Sequence, residues 1–293
     1  MTHTPTKPYT LFLDSGAHSL YTREVIKKKH QKGYAYYDTK EFWDYVDAYA
    51  AFLKKYKSSI DYYVNVDVIF NPEMSWEVLK YMEKKHKLKP VPVIHHGTSL
   101  SWVERHLKEG YELLGIGGLG QEVTSSVYTR WGDQVFDLIC DNPKRLPCVR
   151  AHGFAMTSYP LITRYPWWSV DSTTWVKAAS YGSIYVPKKT KGEFNFKRKP
   201  LGAIYMSQES PKSKNLPKHY WSLSPTEKRT IEEWILSIDL PLGKIKEGKI
   251  VEKGVFTNTR IRQTANLRYF ELLLKSLPEW PWSFNRRMKE RLL

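Results

Sequence analysis

Short apolar or alternating runs recur along this chain, separated by longer amphipathic stretches, and most of the runs end on Asp, His or Gly. The runs are Tyr9–Leu13, Tyr62–Val68, Val91–Ile94, Leu113–Ile116, Cys148–Ala151, Trp168–Val170 and Ser183–Val186. Such alternation predicts a β/α protein built on a parallel sheet, because parallel strands need a crossover that a helix supplies. Between the first two runs, Phe42, Tyr45, Val46, Tyr49, Phe52, Leu53 and Tyr56 recur at intervals of three and four and define one helical face. Weaker helical patterns cover Glu73–Lys85, Ser101–Glu109, Ser125–Cys140 and Thr174–Ser180.

Seven strands leave the pattern one short of a TIM-type (β/α)8-like barrel, and Leu201–Met206 either completes it or begins an appendage. A chain of 293 residues has room for one barrel of about 250 residues and an extension. The expected division is residues 1–206 for the barrel and 207–293 for a basic, mainly helical C-terminal region. In that region Ser224-Pro225-Thr226-Glu227 opens one helix, and Asn258–Ser276 forms another. KKTKGEFNFKRKP after Pro187 and the later SQESPKSKNLPKHYW lack apolar periodicity and read as loops.

Charge is distributed unevenly. The net charge is +16, and from Pro187 onward 23 basic residues face 11 acidic ones, a surplus of 12. A nearly neutral body with a basic end suits a polyanionic partner, nucleic acid above all; the plain alternative is a lysine-rich solvated surface. Two cysteines, Cys140 and Cys148, build neither a disulfide framework nor a zinc site. MTHTPTKPYT contains no apolar signal core, and a cytoplasmic location is expected.

The strand exits carry the chemistry. In barrel enzymes the reactive groups sit at the carboxyl ends of the strands. Here those ends read Asp14-Ser15-Gly16, Asn65-Val66-Asp67, His95-His96-Gly97, Gly117-Gly118-Leu119-Gly120, His152-Gly153 and Asp171-Ser172-Thr173. A single Asp after a strand often just caps the next helix. Three at three exits concentrate negative charge, which raises at least one pKa and so suits acid/base work. Gly115-Ile116-Gly117-Gly118-Leu119-Gly120 satisfies G-x-G-x-x-G but follows a fourth strand rather than a first, which argues against a dinucleotide site. His95 and His96 point to opposite faces of their strand, so only one can serve the strand exit, whether in a metal site of a nuclease or otherwise.

Taken in order, these segments resemble the tRNA-guanine transglycosylase superfamily, which includes relatives that insert 7-deazaguanines into DNA. Asp14-Ser15-Gly16-Ala17 is similar to that family's D-S-G-G segment. Val93-Ile94-His95-His96-Gly97 is similar to its V-Q-G strand with His96 for the glutamine, and Ile116–Gly120 to its I-G-G-L-A-V-G segment. Ser169-Val170-Asp171-Ser172 is similar to its F-D-S segment. The resemblance implies Asp171 as nucleophile and Asp14 as general acid and base. It implies base contacts from Asp67, Ser15, His96, Gly117, Gly118 and Leu119, and places His18 where the family has a base-stacking aromatic. It implies no cofactor, and as partners DNA, with tRNA as the alternative, and a free 7-deazaguanine such as preQ0. The family's C-x-C-x-x-C zinc site is missing, which tilts the expectation toward DNA. The competing expectations are a metal-dependent nuclease and a non-catalytic DNA-binding protein.

Overall fold

The computed structural model describes residues 9–27, 33–118, 123–209, 218–247 and 249–286. The fold is mixed α/β, with helices and parallel sheets. Two compact units are distinguished: residues 1–154 with 167–169, and residues 155–166 with 170–293.

In the first unit β1 (Phe12–Leu13) pairs parallel with β2 (Tyr62–Tyr63), Phe12 opposite Tyr62. Between them lie α1 (Ala17–Leu20) and α2 (Lys40–Lys55). The parallel run continues through a bridge between Val64 and Val91. After α3 (Pro72–His86) comes β3 (Val93–His95); after α4 (Leu100–Lys108), β4 (Leu113–Gly117); after α5 (Ser125–Ile139), β5 (Arg150–Gly153). β3, β4 and β5 pair in that order, parallel throughout, and Ser169–Val170, which follows the short α6 (Tyr159–Ile162), forms β6 at the edge of the same sheet.

Local chemistry explains the helix boundaries. The Thr39 hydroxyl caps α2 by accepting the Phe42 N–H, and Phe42, Val46, Tyr49, Ala50 and Leu53 bury the face that the spacing predicts. Asn71 caps α3 ahead of Pro72, and Lys87 ends that helix in the left-handed conformation at φ +57. The expected strand over Tyr62–Val68 is cut short. Beyond Val64 the chain leaves the ladder, because the Asn65 side chain donates to the Ser75 carbonyl and the Ser75 hydroxyl accepts the Val68 N–H. Val66 and Val68 nevertheless stay fully buried in the core beside α2 and α3. Both cysteines lie in this unit, Cys140 buried and Cys148 exposed.

In the second unit α7 (Thr174–Ser180) leads to β7 (Ser183–Val186). A hairpin follows, β8 (Lys188–Thr190) and β9 (Glu193–Asn195), and then β10 (Gly202–Tyr205). The Leu201–Met206 run does not extend a parallel sheet: β10 pairs antiparallel with β7. The stretch read as a loop after Pro187 is instead the hairpin, because Phe194 and Phe196 supply an apolar face that packs on Trp234. Of SQESPKSKNLPKHYW, residues 210–217 lie outside the described residues. α8 (Pro225–Ser237) opens with the reciprocal Ser224–Glu227 capping box, as its sequence predicts. A second hairpin, β11 (Lys244–Lys246) with β12 (Lys249–Glu252), precedes α9 (Thr259–Lys275), within one residue of its expected limits. No helix among the described residues is long and apolar enough to cross a membrane.

Two buried polar side chains of α9 hold this unit. Asn266, fully buried, accepts the Tyr185 N–H at 2.8 Å and donates to the carbonyls of Trp175 at 3.0 Å and Ser183 at 3.2 Å. Arg262 donates to the carbonyls of Ala179 and Val255. Asn266→Ala orphans three backbone groups in the interior and is expected to cost about 2–4 kcal/mol. Urea denaturation measures the loss; a change under about 1 kcal/mol removes Asn266 from this role.

Candidate functional site

The first exit is built by glycine. After β1 the chain turns through Asp14 and Ser15 into Gly16, whose φ of +77 opens α1. A Cβ on Gly16 would lie 3.0 Å from the Tyr45 hydroxyl, which donates to the Ser15 carbonyl at 2.6 Å. Ser15 is buried, whereas Asp14 and His18 are exposed. Tyr45 and Tyr49 are both held above the ordinary tyrosine pKa, first by burial and then by the Asp14 charge. Asp14 is thus a water-contacting carboxylate whose charge reaches the Tyr45 and Tyr49 phenols.

Asp67 is different in kind. It is 6% exposed, and its Oδ2 lies 2.6 Å from Nε2 of His95. A carboxylate only accepts, so an ionised Asp67 takes this hydrogen bond from the His95 Nε2–H, and Nδ1 of the ring lies on the Gly117 side. Two residues back, Asn65 is almost completely buried, and its Oδ1 has no hydrogen-bond partner among the described residues. Asn65 and His95 both line a narrow cleft between α3, β3 and α4, whose walls include Phe70, Trp76, Thr98 and Trp102. Phe70 is 64% exposed and holds a left-handed φ of +63.

β4 presents bare backbone next to this pair. A Cβ on Gly115 would lie 2.4 Å from the Phe154 ring, and one on Gly117 would lie 3.4 Å from His95 Nδ1. Gly118 has φ +100, and a Cβ there would lie 2.5 Å from the His96 nitrogen. Leu119, expected among the base contacts, lies outside the described residues. The two adjacent histidines do face opposite ways. His95 meets Asp67, while the His96 ring stacks on Tyr128 at 5.6 Å and meets Trp131 edge-on at 5.4 Å. Burial against α5 lowers the pKa of His96, so it stays neutral at physiological pH. His152 is also a core residue. Its Nδ1 is 2.7 Å from the Ser169 hydroxyl, it stacks on Phe12, and burial lowers its pKa to about 4.

Asp171 belongs to the second unit. The chain leaves β6 directly into it, its Oδ1 accepts the Ala155 N–H at 2.8 Å, and its own carbonyl accepts the Met156 N–H at 2.8 Å. Ala155 aims that donor from a left-handed φ of +54, a conformation that costs an L-residue on the order of 1 kcal/mol. Surrounding protein raises the carboxyl pKa by desolvation, and the Ala155 hydrogen bond opposes the rise, although the side chain keeps contact with water.

The structure therefore joins Asp67, His95 and Gly117, sets Asp14 and Ser15 at the neighbouring exit, and directs the His96 ring toward α5. His95 was missed in the sequence, since which of two adjacent histidines faces a partner depends on strand phase; its opposite, Asp67, was the only signal. Among the described residues no group of three or more His, Cys, Asp or Glu is placed to hold a metal ion. The chain matches no family model, no curated protein and no solved structure.

Two outcomes follow from this geometry. Gly118→Ala forces a side chain into the His96 backbone at a positive φ, and is expected to lower stability by more than about 2 kcal/mol in chemical denaturation. Asp171 has a folded pKa above its unfolded value, so its contribution to stability is full below the ordinary Asp pKa and is lost as pH rises through the raised one. Asp171→Asn should then raise the unfolding midpoint at neutral pH, with the gain vanishing below about pH 4. A variant less stable than the parent at pH 7 contradicts this account.

Proposed function

We propose that the chain is a base-exchange glycosyltransferase that replaces guanine in DNA with a 7-deazaguanine such as preQ0. The observation that carries the reading is the buried Asp67–His95 pair beside the side-chain-free Gly117–Gly118 edge. It suits a flat ligand with adjacent N–H donors. A guanine-type base offers N1–H and an exocyclic amine, adjacent donors that the Asp67 carboxylate can accept. Reading of the base's other edge passes from the expected His96 to His95, because the His96 ring is committed to Tyr128.

In this reading the Asp171 carboxylate attacks C1′ of the nucleotide. The C1′–N9 bond breaks with its electron pair going to guanine, which takes a proton from Asp14. The incoming base gives its N9 proton to Asp14, attacks C1′ and releases Asp171. One glycosidic bond is exchanged for another, so the reaction needs no nucleotide cofactor. Partial desolvation makes Asp171 a stronger nucleophile, and the Ala155 N–H fixes its direction. A base within a duplex is out of reach, so the target must be flipped or single-stranded. The finer fold that accompanies this reading is the TIM-type barrel with a basic C-terminal extension; the parallel pairings from β1 through β5 support it.

Incorporation of labelled guanine into DNA tests the chemistry. Asp171→Ala is expected to reduce it by about three orders of magnitude or more, and the parent should form a denaturant-resistant DNA adduct when the second base is withheld. Full exchange by Asp171→Ala overturns the nucleophile. Label entering tRNA but not DNA leaves the chemistry standing and changes the substrate. Asp67→Asn is expected to raise the KM for the free base roughly 10- to 100-fold, in line with the loss of one charge-assisted hydrogen bond.

A further inference from the structure

The β8–β9 hairpin of the second unit concentrates charge on a rigid mount. Lys188, Lys191, Lys197, Arg198 and Lys199 are all exposed, and no ion pair is formed by any of them among the described residues. The acid facing outward with them is Glu193. The pleat separates two roles. Lys189 and its cross-strand partner Phe194 turn toward α8, where Lys189 pairs with Glu233 at 2.5 Å and Phe194 meets Trp234 at 5.3 Å. Phe196 packs on Trp234 and Tyr269, each at 5.8 Å. Lys188 and Thr190 alternate onto the opposite, outward face.

The turn adds an independent observation. Lys191 and Gly192 both have positive φ, +52 and +87, which defines the two-residue primed turn that matches strand twist. Asn or Gly suits the first of these positions, and lysine is strained there. The strain places a cation at the tip.

We propose that this hairpin is a docking edge for the phosphate backbone of nucleic acid. Exposed cations at the start of an aromatic-anchored ribbon, at its tip and in the segment that follows it offer several contacts to a phosphate backbone, and the arrangement reads no bases. The choice of nucleic acid as the polyanion rests on the exchange reading above, while binding is measured without any exchange reaction.

The test uses the full chain and a fluorescein-labelled double-stranded oligonucleotide, with anisotropy recorded across a salt series. Each lost phosphate contact lowers the slope of log K against log salt by about 0.9, so Lys188→Gln with Lys191→Asn and Arg198→Gln should lower it by roughly 2–3. Lys191→Asn alone should lower it by about 0.9 while raising the melting temperature, because it relieves the turn; a misfolded variant cannot do both. An unchanged slope in the folded triple variant overturns the proposal, as does binding to phosphatidylserine vesicles but not to the oligonucleotide. Loss of slope in a chain that never exchanges bases sustains the docking edge and defeats the enzyme reading alone.

Discussion

A strand whose carboxyl end lacks side chains on one face governs the candidate site. Toward the carboxyl end of β4 that face is Gly115 and Gly117, continued by Gly118: a Cβ on Gly115 would run into Phe154 and one on Gly118 into the His96 backbone, while one on Gly117 would rest against the His95 ring. The close approach of β3 to that face fixes where His95 stands, and His95 in turn fixes Asp67. Packing of this kind is discrete: interiors are as dense as organic crystals, and one added methyl has nowhere to go. The position of the Asp67 carboxylate is thus set by what a neighbouring strand lacks.

The aspartates at the strand exits are tuned by unlike surroundings. Asp14 is solvated and its charge reaches two phenols, Asp67 is buried against a histidine, and Asp171 is partly desolvated with a backbone donor on one oxygen. In the proposed exchange, such unlike environments would let one residue type serve as proton carrier, recognition group and nucleophile. The left-handed Ala155 and Phe70 are the local conformational costs beside these groups, and such costs gather where geometry is demanding.

Much of this was legible in the residues. The three- and four-residue spacing of Phe42 through Tyr56 marks α2, and Ser224-Pro225-Thr226-Glu227 marks the start of α8, because both signals are local. The succession of parallel strands was legible for the same reason. The partner of Ser183–Val186 was not: a strand's apolar pattern does not record whether its neighbour runs parallel, and β10 runs the other way. Nor was the β8–β9 hairpin, whose lysines mask the two phenylalanines that hold it. At the site, the residue types at the exits were visible, but the phase of His95 and His96 was not, since it follows from the register of β3 on β4.

The order in which the chain visits its two units has a consequence for synthesis. Residues 155–166 belong to the second unit and 167–169 return to the first, so the chain passes between units at three places and no single cut yields both whole. Leu161, Ile162 and Tyr165 leave the ribosome early but are buried in the finished unit, Tyr165 against Phe284. At translation rates of about 5–20 residues per second, that apolar segment waits on the order of ten seconds for its cover. Vectorial synthesis thus completes the first unit while the second still holds an open seam.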